Sequence, residues 1–151
     1  MILISHRGNL NGPNEERENS LDYIDEAIKA GYEVEIDLWS REGKLYLGHD
    51  APQYLVSIEW LESRLTKLWI HCKNIEALEL LHWFKNMKHL NYFWHETDTV
   101  TLTSRGYIWA YPGKQPIIDS IAVMPELRGD VIQQCLGICS DYIKNYKNEQ
   151  Q

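Results

Sequence analysis

Five short groups of residues carry the chemistry of this chain: His6-Arg7-Gly8, Glu18-Asn19-Ser20, Glu35-Ile36-Asp37, His49-Asp50 and His71-Cys72-Lys73. Imidazole gives and takes protons near neutral pH, and paired carboxylates hold a divalent cation through oxygen. Cleaving a phosphodiester with help from a metal needs a base for the attacking oxygen, an acid for the departing one, and positive charge for the non-bridging oxygens. These groups supply all three, and most of them follow a hydrophobic, strand-like run.

Residues Glu33 to Leu38 alternate strictly, with Val34, Ile36 and Leu38 on one side and Glu33, Glu35 and Asp37 on the other, which is the period of a β-strand. With the apolar side against a helix layer, Glu35 and Asp37 point inward, where unpaired carboxylates are costly to desolvate. A bound cation removes that cost, and oxygen ligands of this kind favour Mg²⁺ or Ca²⁺. The competing arrangement is a half-exposed strand with a solvated acidic face. His6 and His49 would stand on either side of the cation and divide the proton transfers, with either one as base and the other as acid. Arg7 supplies a fork of donors for phosphate oxygens, its alternative partner being an acid such as Glu18. Alternation puts His71 and Lys73 on one face of the run Leu68 to Cys72. His95 and Glu96 end a later run, where a regular strand turns only one of them inward. Trp39, Trp94 and Trp109 lie near strand ends and either wall a pocket or fill the core; Trp109 is the one expected to touch substrate.

The elements that must position these groups follow from local pattern. Ile2 to Ile4 is a strand, and the Gly/Asn/Pro/Glu-rich stretch from Gly8 to Glu18 is loop. A helix follows, capped by Asn19 or Ser20, with Leu21, Ile24, Ala27 and Ile28 on one face and Gly31 as its stop. Arg41-Glu42-Gly43-Lys44 reads as a tight turn into a short strand, Leu45 to Leu47, so the chain opens β-α-β-β. Helices are expected over Ile58 to Leu65 and Ile75 to Lys85, and strands over Leu68 to Cys72, Tyr92 to His95, Tyr107 to Tyr111, Ile121 to Met124 and Gly137 to Cys139, before a polar tail from Lys144. Repeated β-then-α units with polar residues at strand C-termini predict an α/β fold. Ordinary barrels of that kind need roughly 200 residues or more, so the expectation is a shortened or irregular TIM-type (β/α) barrel with reduced helices. No linker divides the chain, which is expected to form a single domain over residues 1–151.

A net charge of −7 without a dense Lys/Arg stripe argues against a nucleic-acid partner. No apolar run approaches a membrane span and no secretory signal opens the sequence, so a cytoplasmic protein is expected. Cys72, Cys135 and Cys139 fit reduced thiols better than a disulfide framework. A homo-oligomer is one way for so small a barrel to cover exposed strand edges.

Taken in order, His6-Arg7-Gly8, Glu18-Asn19-Ser20, Glu35-Ile36-Asp37 and His49-Asp50 resemble the opening section of the glycerophosphodiester phosphodiesterase family, which runs His-Arg-Gly, Glu-Asn-Thr/Ser, Glu-x-Asp, His-Asp. Gly137-Ile138-Cys139-Ser140-Asp141-Tyr142 resembles that family's closing strand, a Gly-Ile/Val-x-Thr-Asp segment. The resemblance implies a metal-dependent phosphodiester hydrolase of lipid metabolism acting on small glycerophosphodiester-like substrates. It implies Glu35 and Asp37 as metal ligands, His6 and His49 as the acid/base pair, Arg7 and Lys73 near the phosphate, and Glu18 near the metal or phosphate. It also implies attack by a substrate hydroxyl next to the phosphodiester, through a cyclic phosphate. Two departures stand out. His71 occupies the position of the family's third carboxylate ligand. As a ligand it would move the preference towards Mn²⁺, Zn²⁺ or Fe²⁺; otherwise the ion keeps more water. Only Ala51 to Lys67 stand where many members insert a substrate-covering subdomain, which leaves the pocket more open. These departures keep two other readings in view: a metal- or phosphate-binding module without turnover, and a phosphodiesterase acting on lipid or polysaccharide phosphodiesters.

Overall fold

In the computed structural model, which describes residues 1–83 and 89–147, the alternating run from Glu33 becomes the longest strand, β2 (Glu33–Arg41). Strand β1 (Ile2–His6) pairs parallel with one side of its first half, and β5 (Leu68–Cys72) pairs parallel with the other. Beyond β1 the sheet continues in parallel through β10 (Gly137–Ser140), β9 (Ile121–Val123) and β8 (Ile108–Ala110). Beyond β5 it ends at β6 (Asn91–Trp94), also parallel. Three additions run antiparallel: β3 (Lys44–Leu47) returns along the far end of β2, β4 (Tyr54–Val56) adds to β3, and β7 (Val100–Leu102) adds to β8.

This arrangement corrects the expected TIM-type (β/α) barrel. The chain forms a mixed ten-stranded sheet curled into a half-barrel, not a ring of β/α units. The described α-helices are short: α1 (Leu21–Lys29), α2 (Ile58–Glu62), α3 (Ile75–Trp83) and α4 (Ile143–Lys147), with one 3-10 turn at Pro125–Leu127. The cause lies in the connections. A parallel crossover is usually made by a helix. Between β8 and β9 this chain instead carries Pro112, Gly113 and Pro116, none of which sits well inside a helix. After β6 the Thr-rich segment 97–103 contains β7 rather than a helix.

Other boundaries also move. The helix expected to Leu65 ends at Glu62, the tail from Lys144 contains most of α4, and β1 reaches His6. Of the helix expected over Ile75 to Lys85, Phe84 and Lys85 lie outside the described residues. Among the described residues no helix is long and apolar enough to cross a membrane.

The sheet buries both faces. Outside, Val34, Ile36 and Leu38 of β2 and Leu68, Ile70 and Cys72 of β5 belong to one core with Ile24 and Ala27 of α1 and Ala77 and Leu81 of α3. On the concave side, Ile4, Trp69, Phe93, Trp109, Ile121, Val123 and Cys139 form a second core. Phe93 and Trp109 meet at 4.8 Å between centroids, from strands at opposite ends of the parallel run. Side-chain and loop bonds bridge that seam in place of a strand ladder: Thr101 Oγ1 donates to the Trp94 carbonyl at 3.0 Å, and Ser104 N to the Tyr92 carbonyl at 2.7 Å. Burying each large aromatic here is worth ~2 kcal/mol or more, so the curl is held mainly by this floor.

Candidate active site

The polar groups stand at the C-terminal ends of the parallel strands, beyond the apolar floor. Register places Glu35 beside His6 of β1 and Asp37 beside His71 of β5. Both carboxylates are buried, Glu35 at 3% exposure and Asp37 at 0%. Asn19 clamps Asp37 with both ends of one amide: its Nδ2 donates to Asp37 Oδ2 at 2.9 Å, and its Oδ1 accepts from Asp37 N at 2.9 Å. Arg7 Nε lies 3.0 Å from the same Oδ2. Asp37 Oδ1 has His71 Nδ1 at 3.2 Å and Lys73 Nζ at 3.5 Å, yet receives no well-formed hydrogen bond. Glu35 Oε2 is also without a hydrogen-bond partner, with His6 Nε2 3.8 Å away.

Buried carboxylate oxygens are ordinarily satisfied, and two orphans in one place are what a bound cation would satisfy. One ligand atom from each of Glu35, Asp37 and His71 lies within 4.8 Å of the others, a set that suits a divalent cation. Burial pushes the Glu35 carboxyl up, and the negative charge of Asp37 adds to the shift. Burial opposes charge on Asp37 as well, but its contact with His71 and the charges of Arg7 and Lys73 outweigh it and hold this carboxyl well below the usual range.

His6 is held from behind. Its Nδ1 donates to Asp141 Oδ1 at 2.7 Å, which leaves Nε2 towards Glu35. Asn9 Nδ2 donates both to that Asp141 oxygen and to Glu18 Oε1, each at 2.8 Å. Arg7 Nη1 donates to Glu18 Oε2 at 3.2 Å, the partner named as its alternative to phosphate. Burial works against an imidazolium at His6, but the Asp141 hydrogen bond and the Glu35 charge outweigh it and raise the pKa. Arg7 and Asn19 both adopt left-handed backbone, with φ of 54° and 63°, and Asn19 N donates to the Arg7 carbonyl at 3.1 Å. Such conformations persist where surrounding contacts over-determine them, as they do here.

His49 comes from the loop after β3. Gly48 has φ 149°, and a Cβ there would collide with the Ala51 carbonyl. Gly48 N donates to the Asp37 carbonyl at 3.1 Å, while its own carbonyl accepts from Trp39 Nε1 at 2.6 Å. His49 is more open than His6, its side chain 42% exposed with Nδ1 2.8 Å from Asp50 Oδ1. Partial burial and the nearby Arg7 charge lower its pKa, opposite to His6.

A cavity of about 410 Å³ gathers the sequence-expected residues His6, Arg7, Glu35, His49, His71, Lys73 and Trp109, together with Trp94, His95, Glu96 and Tyr111. Asp37 sits beneath it. A second cavity of about 580 Å³ shares His6, Arg7 and His49, and adds Glu18, Asn19, Asp50 and Asp141. Trp109 is 2% exposed and forms floor, packed at a tilt against Trp69 and Phe93. Trp39 lines neither cavity and serves the His49 loop. His95 and Glu96 both line the aromatic side of the 410 Å³ cavity because β6 ends at Trp94, where regular alternation stops.

Sequence reasoning missed Asn9 and Tyr111, and it did not foresee Asp141 as the partner of His6. Of the two expected helix caps, Asn19 binds Asp37 instead, while Ser20 stands at the N-cap of α1 without a side-chain cap bond. A polar residue ending the last strand beside β1 was the available signal for Asp141. Asn9, set in an irregular loop, offered none. Compared with known protein families, characterised proteins and solved structures, the chain matches none.

Proposed function

We propose that the chain is a metal-dependent phosphodiester hydrolase of the glycerophosphodiester phosphodiesterase type, acting on small phosphodiesters that carry a hydroxyl next to the phosphate. The observation that carries this reading is the convergence of His6 and His49 on one cavity with Glu35 and the orphaned carboxylate oxygens behind it. A binding site alone has no use for two proton-transfer groups in different environments.

Glu35, Asp37 and His71 would hold the cation. When bound, it would offset phosphate charge and acidify a substrate hydroxyl. One of the two histidines takes the hydroxyl proton as that oxygen attacks phosphorus, and the other gives a proton to the departing alcohol oxygen. Asp141 keeps His6 in a single orientation through Nδ1, so that Nε2 carries its share of the transfer. Arg7 donates from Nη1 to Glu18 and faces Asp37 Oδ2 with Nε as an ion pair without a hydrogen bond, leaving its Nη2 donors for a non-bridging oxygen. Lys73 adds a second positive charge from the opposite side of Asp37. The histidine roles then reverse as water opens the cyclic phosphate.

The test is release of choline from glycerophosphocholine with and without added divalent cation, for wild type, His6→Ala and Glu35→Ala. Metal-dependent turnover that falls about 100-fold or more in both variants is expected. Glu35-dependent metal binding with no turnover would instead mark a binding module.

A further inference from the structure

We propose that the Glu35–Asp37–His71 cluster is a mixed nitrogen–oxygen site that takes a first-row transition-metal dication, of the Mn²⁺ to Zn²⁺ class, in preference to Mg²⁺ or Ca²⁺. The inference rests on reading this cluster as the cation site of the proposed hydrolase, but it is tested without substrate.

His71 carries the argument. Its Nε2 lies 3.1 Å from the backbone carbonyl of His95. A carbonyl only accepts, so the hydrogen sits on Nε2, and the lone pair of the neutral ring sits on Nδ1. Nδ1 is the nitrogen that faces Asp37 Oδ1, at 3.2 Å. An outer carbonyl that fixes the tautomer so that the inner nitrogen is bare is how proteins prepare an imidazole to bind a metal. The ring is also held in plane against Phe93, with centroids 5.2 Å apart and 8° between planes, so its direction is set before any ion arrives.

The oxygens point the same way. Asp37 Oδ2 is committed to Asn19 and Arg7, so this carboxylate offers one oxygen, Oδ1, and not a bidentate pair. Glu35 contributes the orphaned Oε2. Among the described residues the cluster holds these three side chains alone. Ca²⁺ asks for six to eight oxygens and Mg²⁺ for a near-octahedral oxygen shell, and one of the three donors here is nitrogen. Imidazole with carboxylate suits the later first-row dications, whose affinity for such donors rises along the series. Lys73 Nζ, 3.5 Å from Asp37 Oδ1, tempers the negative charge of the pocket without satisfying that oxygen. A less acidic pocket further disfavours hard cations that bind chiefly by charge.

The experiment uses the full chain stripped of metal. Mn²⁺, Zn²⁺, Mg²⁺ and Ca²⁺ are titrated separately into wild type, His71→Glu, His71→Ala and Glu35→Gln, and pulsed EPR of the Mn²⁺ complex reads coupling to a directly bound nitrogen. Circular dichroism melting confirms that each variant is folded, with His71→Glu as the conservative replacement. One equivalent of Mn²⁺ or Zn²⁺ is expected to bind at least about tenfold more tightly than Mg²⁺ or Ca²⁺. Glu35→Gln should weaken it roughly 10–100-fold. His71→Glu should abolish the nitrogen coupling and restore Mg²⁺ or Ca²⁺ to parity or better. Equal or tighter binding of Mg²⁺ or Ca²⁺ by wild type overturns the proposal. So does binding that survives both Glu35→Gln and His71→Ala, a missing nitrogen coupling, or no binding by any of the four ions. Selective binding without phosphodiester turnover would sink the hydrolase reading and leave this one standing. Turnover supported best by Mg²⁺ and unchanged in His71→Ala would do the reverse.

Discussion

With Nδ1 committed to Asp141 at 2.7 Å, His6 has one nitrogen left for proton transfer, and its basicity depends on what stands behind it. Burial alone would depress the His6 pKa; the Asp141 hydrogen bond is the largest contribution raising it. Asp141→Asn is therefore expected to lower the imidazole pKa of His6 in the metal-free protein, read by NMR titration, and to cut turnover by about 100-fold or more. An unchanged titration would show that Asp141 does not govern the ring. The linkage has a definite sign. A histidine raised above its usual 6.5 adds stability that is full below pH 6.5 and is lost as pH rises through the folded value. Asp141→Asn should flatten that part of the stability profile. Asn19 makes a second residue-scale test, because its amide serves both the backbone and the carboxylate of Asp37. Asn19→Ala removes two buried hydrogen bonds and puts alanine at φ 63°, which should cost about 3 kcal/mol. The expected sign is a melting temperature lower by roughly 5–10 °C, with weaker metal binding.

At the scale of elements, the site is assembled from strand ends whose approximate positions were legible and from loops whose conformations were not. Strict alternation from Glu33 to Leu38 marked β2 and the inward side of Glu35 and Asp37, since that period is a local property of the chain. The same spacing put His71 and Lys73 together on the next strand. The His49 loop follows another rule: Gly48 at φ 149° lies against the Ala51 carbonyl and bonds to both Trp39 and Asp37. Gly48→Ala should displace His49, lower turnover at least about tenfold and destabilise the fold by ~1–3 kcal/mol. Metal affinity should stay near wild type, because Glu35, Asp37 and His71 come from other strands; parallel loss of metal binding in a titration would contradict this. The short strands β4 and β7 escaped sequence reading for a physical reason. Their exposed positions carry little periodic signal, and their pairing is set by tertiary neighbours.

Over the whole molecule, the half-barrel depends on its aromatic floor and on the seam where β6 meets β7. Trp69, Phe93 and Trp109 come from three strands and interlock at 4.8–5.6 Å, contacts that no local pattern announces. That is why the strand-end placement of His6, Glu35, Asp37 and His71 could be anticipated while the curled half-barrel, expected instead as a shortened (β/α) barrel, could not: the motifs are local, but the closing contacts are not. Trp109→Ala should cost about 3–5 kcal/mol by opening a cavity beneath the site, read as a large fall in melting temperature. The measurement that bears most directly on the proposed chemistry is a ³¹P NMR comparison of two substrates in the presence of Mn²⁺. One is glycerophosphocholine, and the other is its propane-1,3-diol analogue, which lacks the neighbouring hydroxyl. Attack by that hydroxyl predicts consumption of the first through a transient cyclic phosphate and no reaction of the second. Equal turnover of both, or turnover of neither with any divalent cation, would contradict the account.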